Sequence, residues 1–175
     1  MNDTDTTFQP APGEVVLPIV QELANWLLAH RQMVATAESC TGGLVAAACT
    51  ALAGSSAWFE RGFVTYTNSA KHELLGVPAE LITTHGAVSE PVARAMANGA
   101  IRHSRAQLAM AITGIAGPSG GSVDKPVGTV WFGWRVADQT HAEVRHFQGD
   151  RGAVRQAAMQ HALQRMLALA RLSGD

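Results

Sequence analysis

Residues 36–43, TAESCTGG, set two nucleophile types, Ser39 and Cys40, side by side ahead of a glycine pair. Neither a serine hydroxyl nor an ordinary thiol attacks well without a base and a site for the developing negative charge. The run MVATAES before them reads as extended, and GGLVAAACTAL after them is small and helix-forming. Ser39 is therefore expected at a strand end just before a helix. The amides of Thr41, Gly42 and Gly43, with the positive end of that helix, could stabilise an oxyanion or hold a phosphate. Two glycines let a substrate approach the backbone closely. The same residues also suit a plain capped turn. No Gly-Lys-Ser/Thr follows, so this is not a Walker A loop, and the spacing is not that of a dinucleotide fingerprint.

A base must come from elsewhere in the chain. YTNSAKHELLG offers Tyr66 at a strand end and Lys71 in the first turn of a helix that Asn68 can cap. A lysine near a helix N-terminus, partly buried, is pushed toward the neutral amine that can take a proton. Taken alone, such a lysine is more commonly a solvated surface residue. His72 and His85 are weaker alternatives as bases. His30, His103 and His161 fall in helical stretches, where a solvent-facing placement accounts for them. A third element, AITGIAGPSGG, runs a strand into glycines: Thr113 and the amides of Gly114, Ile115, Ala116 and Gly117 suit a phosphate or a polar ring substituent, with Lys125 as a source of charge. No HExxH or CxxC grouping is present, and Cys40 and Cys49 are separated by a helical run, so no metal is expected.

The elements that must position these residues follow from composition and periodicity. With 175 residues, 47% hydrophobic and 15% charged, the chain fits one domain with a sizeable core, here 13–175 behind a loose polar leader, 1–12. The formal charge of -1 and the lack of any Lys/Arg cluster argue against direct nucleic-acid binding. Two cysteines make no disulfide framework, and no twenty-residue apolar run is present, which points to a cytoplasmic location away from the membrane. Apolar spacing predicts a helix from Glu14 to about His30. WFERGFVTY and QLAMAITG read as strands, and TVWFGWRV and THAEVRHF as a hairpin joined by ADQ. Ser89 is expected to cap a helix reaching about Arg105, and Asp150 a last helix through RGAVRQAAMQHALQRMLALARL. The expected fold is α/β, a mixed sheet between helix layers.

TAESCTGG, VTYTNSAKHELLGV, GAVSEPVARAMANGA, AITGIAGPSGGSVDKPVGTVWFG and HFQGDRGAVR, in this order between Val15 and Leu172, resemble the CinA C-terminal-domain family. Its enzymatic members are nicotinamide-nucleotide amidases. The resemblance implies a three-layer α/β/α sandwich, commonly a homodimer, that hydrolyses the carboxamide of nicotinamide mononucleotide to nicotinate mononucleotide and ammonia without a metal or organic cofactor. Some members carry a further N-terminal domain, and this chain is similar to the stand-alone form. Carried over, the serine nucleophile falls on Ser39, the lysine base on Lys71 and an accompanying hydroxyl on Tyr66, with Cys40 as a neighbour. Cys40, Thr41, Gly42, Gly43 and Asn68 would surround the reacting amide. ITGIAGP would cradle the nucleotide, with Lys125 or Arg151 as charge partners. Two rivals stand beside this: a non-catalytic nucleotide-binding or interaction module of the kind linked to competence and DNA damage, and a cysteine hydrolase using Cys40.

Overall fold

The computed structural model describes residues 12–174. Helix α1 (Pro12–His30) leads into strand β1 (Val34–Glu38), helix α2 (Leu44–Thr50) and strand β2 (Phe59–Val64). Three helices follow, α3 (Asn68–Leu75), α4 (Ala79–His85) and α5 (Glu90–Arg102), then strands β3 (Leu108–Gly114), β4 (Thr129–Val136) and β5 (Gln139–His146), and helix α6 (Arg151–Ser173). Most of the leader read from the sequence lies outside the described residues, but Pro12 belongs to α1. Among the described residues no helix is long and apolar enough to cross a membrane.

The five strands lie in the order β2-β1-β3-β4-β5. β1 pairs parallel with β2 and with β3, and β4 pairs antiparallel with β3 and β5, so the sheet is mixed as expected. Because alternate residues of a strand face opposite ways, the sequence of each central strand sets two different layers. Val34, Leu108, Met110, Ile112, Phe132 and Trp134 join one core with residues of α1, α2 and α6. Ala35, Ala37, Ala109 and Ala111 face the other way, toward α3, α4 and α5. The result is three layers, α/β/α.

The two faces differ in size. Small side chains let α5 lie close on the sheet, where a Cβ on Gly133 would meet the Ala93 carbonyl oxygen at 2.4 Å, and close on α3, where one on Gly99 would meet that of Leu75 at 2.2 Å. On the opposite face large side chains set the spacing, and the buried Trp134 indole satisfies its N–H on the Ala162 carbonyl at 3.1 Å.

Several local expectations need correction. Thr67, not Asn68, caps α3: its hydroxyl accepts from the Ala70 amide at 3.1 Å, and Asn68 is the first helical residue. Asp150 does cap α6 through Ala153. Ser89 precedes α5, but its hydroxyl donates to the Gly86 carbonyl instead of capping, and α5 stops at Arg102. The hairpin turn is Ala137–Asp138, both at positive φ (46° and 64°), and Gln139 already pairs with Val136. Helix α4 is an element the sequence reading did not anticipate. His161 does not face solvent: it is half-buried, its ring 4.8 Å from that of Phe132.

Candidate active site

The carboxyl ends of β1, β2 and β3 lie side by side, because the three strands are parallel. In such sheets the crevice beyond those ends, where successive connections leave in different directions, is where ligands bind. Ser39 follows β1, Thr65 and Tyr66 follow β2, and Ile115 to Gly117 follow β3.

Glu38 ends β1 with its side chain fully buried, and its carboxylate accepts from the amides of Gly43 at 3.0 Å, Val45 at 3.1 Å and Ala46 at 2.8 Å. Gly43 at the N-cap of α2 has no side chain to offer, and Glu38 takes over that task with three charge-assisted bonds. Its own carbonyl accepts from the Thr65 amide at 2.8 Å, which joins the ends of β1 and β2. The chain then turns: the Gly42 amide donates to the Ser39 carbonyl at 3.0 Å, with Gly42 at φ 61° and Gly43 at φ 96°, conformations that glycine adopts without strain.

These bonds narrow one expectation. Of the three amides thought to face a substrate together, that of Gly42 is bound to Ser39 and that of Gly43 to Glu38. The N-terminus of α2 is thus already occupied by a carboxylate. Among the described hydrogen bonds, the amides of Cys40 and Thr41 have no partner.

Lys71 projects from the first turn of α3 and is 1% exposed. Its Nζ lies 3.0 Å from Ser39 Oγ and 3.0 Å from the Thr65 carbonyl oxygen. Burial pulls its pKa below the ordinary lysine value. Among the described residues it makes no ion pair, so no carboxylate restores its charge. With one N–H donated to the Thr65 carbonyl, the amine in its neutral form has its lone pair free for the Ser39 hydroxyl proton. Ser39 itself is buried, 8% exposed.

Cys40 is about as buried as Ser39 and differs in its ionisation. It is 6% exposed, and burial pushes its thiol up to about 11, so it is protonated at neutral pH. Cys49 is buried in α2 and is likewise raised by burial.

Tyr66 does not join Ser39 and Lys71 through any described hydrogen bond. It is 55% exposed, and its hydroxyl accepts from Arg151 Nη2 at 2.6 Å, while Arg151 Nη1 donates to the Gly117 carbonyl at 2.9 Å. Asn68 is exposed on α3, with no described bond to either member of the pair. The loop after β3 is also partly committed to structure. The Thr113 hydroxyl donates to the Ala87 carbonyl at 2.9 Å, Gly114 pairs with Val130 in the sheet, and the Ile115 amide donates to the Thr129 carbonyl at 2.9 Å. Ala116 and Gly117 keep amides with no described partner. Lys125 reaches the carboxyl end of α4, its Nζ 3.0 Å from the His85 carbonyl oxygen, and so ties down its loop.

Two residues not singled out in the sequence complete the picture. Glu38 is the first. Arg155 is the second: its Nε donates to the Cys40 carbonyl at 3.1 Å and its Nη2 to the Thr41 carbonyl at 2.8 Å. Arg151 and Arg155 stand one helical turn apart, on one side of α6. The four-residue spacing in DRGAVR was the available signal. Among the described residues no cluster of His, Cys, Asp and Glu could hold a metal ion.

An α/β/α fold that sets a buried, unpaired lysine against a serine hydroxyl at its strand ends offers the arrangement that a serine–lysine hydrolase would use. Comparison narrows this further. The model of the family described as CinA C-terminal domain matches residues 17–170, and the chain belongs to that family. The chain is 53% identical over 150 residues to the nicotinamide-nucleotide amidohydrolase PncC of Escherichia coli K12, covering 85% of this chain and 91% of the relative. It is 47% identical over 154 residues to the Pseudomonas putida protein of the same name, covering 88% and 96%. Among solved structures, the competence/damage inducible protein CihA from Agrobacterium tumefaciens superposes with a TM-score of 0.86 at 43% identity, over 94% of this chain and 99% of that one.

Proposed function

We infer that the protein is a nicotinamide-nucleotide amidohydrolase, converting nicotinamide mononucleotide to nicotinate mononucleotide and ammonia, with Ser39 as nucleophile and Lys71 as base. The identity to relatives carrying that name, over nearly their full length, supports the activity. The single observation that supports the residue assignment is the 3.0 Å approach of a buried, unpaired Lys71 Nζ to Ser39 Oγ.

The steps follow from that pair. Neutral Lys71 accepts the hydroxyl proton as Ser39 Oγ bonds to the carboxamide carbon. The negative charge that gathers on the amide oxygen meets the unengaged amide of Cys40, next to the nucleophile, with that of Thr41 behind it; removing such a donor typically costs about 3 kcal/mol. Lys71, now protonated, passes its proton to the departing nitrogen, the C–N bond breaks, and ammonia leaves an acyl-Ser39 ester. Lys71, neutral again, takes a proton from water as it attacks the ester, and returns it to Ser39 Oγ. Tyr66 and Arg151, one bonded to the other, with the free amides of Ala116 and Gly117, would meet the ribose phosphate. Cys40 fits the role of neighbour and not of nucleophile, since its thiol stays protonated. A purely binding module would have no use for a buried lysine held against a serine.

The family reading carries with it a cytoplasmic homodimer that needs no metal. The decisive experiment is ammonia release from nicotinamide mononucleotide by purified protein after exhaustive chelation: steady turnover is expected. Absence of turnover, or turnover restored only by a divalent ion, overturns the mechanism.

A further inference from the structure

We propose that Arg155 is a positioning residue for the nucleophile's turn, holding the peptide between Cys40 and Thr41 in the one orientation that suits catalysis. The proposal rests on the assignment of Ser39 as nucleophile. Residues Ser39 to Gly42 form a four-residue turn closed by the Gly42 amide on the Ser39 carbonyl at 3.0 Å. The central peptide of such a turn is the unit that can flip, exchanging the directions of its C=O and N–H while the flanking residues stay put. The flipped form needs positive φ at the third position, here Thr41, which does not have it.

Arg155 meets this weak point from outside. Its guanidinium bonds the carbonyl of the flippable peptide, Cys40, and that of the next, Thr41. In a trans peptide the N–H points opposite to the C=O, so holding the Cys40 carbonyl on Arg155 holds the Thr41 N–H on the far side. A flip would put a carbonyl acceptor where that donor now faces, beside the nucleophile. The Thr41 side chain adds no anchor to the turn, since its Oγ1 is buried without a hydrogen-bond partner. The guanidinium, by contrast, comes from a firm base, since α6 is capped by Asp150 and buries Val154 and Ala158 against the sheet.

The test is steady-state hydrolysis of nicotinamide mononucleotide by R155M and R155K, with S39A measured alongside and thermal melting of each. R155M is expected to lose about ten- to a hundredfold in kcat while KM moves less than about threefold, because the loss falls on the reacting geometry and not on substrate binding. R155K should lie between R155M and wild type, since an ammonium is a point donor that cannot match the fork across two carbonyls. The pH midpoint of kcat/KM should stay put, because the Thr65 carbonyl still holds Lys71. Wild-type kcat in R155M beside an inactive S39A overturns the proposal and leaves Ser39 standing. A raised KM at unchanged kcat makes Arg155 a substrate contact and also overturns it. Turnover in S39A removes the nucleophile assignment and the proposal together. If R155M does not fold, R155K decides alone, by reduced kcat at unchanged KM or by wild-type kcat.

Discussion

Lys71 occupies a place that a charged ammonium would avoid, and two measurable consequences follow. First, kcat/KM should rise with pH as Lys71 loses its proton, with a midpoint below the ordinary lysine value of about 10.4. S39A and K71A should each nearly abolish turnover, S39A/K71A should be scarcely worse than either, and C40A should do far less, because members of one catalytic unit are not additive. Simple multiplication of the two losses would dissolve the pair. Second, a lysine whose pKa is lower in the folded chain binds fewer protons there than when unfolded, over the window between the folded and ordinary values. Stability from this group therefore rises with pH across that window. Wild type should gain melting temperature relative to K71M between pH 7 and pH 10, and a pH-independent difference would contradict the burial argument. Ser39 and Lys71 could be picked out as candidates in the sequence, but each alone also suited an ordinary cap or surface lysine, and it was the family resemblance that paired them. Glu38 could not be picked out. An acid inside an apolar strand makes sense only once three amides of the next helix are seen to converge on it.

At the level of elements, the strands and the hairpin could be read from alternation, α1 from apolar spacing and the other helices from caps, stops and small helix formers, while α4 could not. Its seven residues, AELITTH, carry only Leu81 and Ile82 as large apolar side chains, too few to mark a face. Periodicity also hid the unequal faces of the sheet, because alanine and leucine count alike as apolar. That inequality is what brings α5 down onto Gly133. G133A should therefore be costly although it adds a single carbon: the new Cβ would sit 2.4 Å from the Ala93 carbonyl oxygen, a backbone atom that moves only with the helix. A loss of about 1–3 kcal/mol is expected in denaturant unfolding, with near-normal kcat in the folded fraction. An unchanged midpoint would mean that α5 rides higher than described.

Across the whole molecule, one helix end holds the carboxyl ends of three strands: Arg155 bonds the turn after β1, and Arg151 bonds Tyr66 after β2 and Gly117 after β3. The chain hinted at this long-range stapling only through the four-residue spacing of Arg151 and Arg155, and nothing in it showed which strand ends they would reach. Since the nucleotide's phosphate is proposed to meet Arg151 and the free amides nearby, the mononucleotide should outperform its riboside in kcat/KM by about ten- to a hundredfold. Equal values for the two would remove phosphate recognition from this corner. The staple also has a bearing on timing. Helix α6 follows every strand in the chain, so as the protein emerges from the ribosome the strand ends exist before the arginines that hold them together. On the proposed roles of Ser39 and Lys71, activity is therefore expected to appear only after α6 has docked.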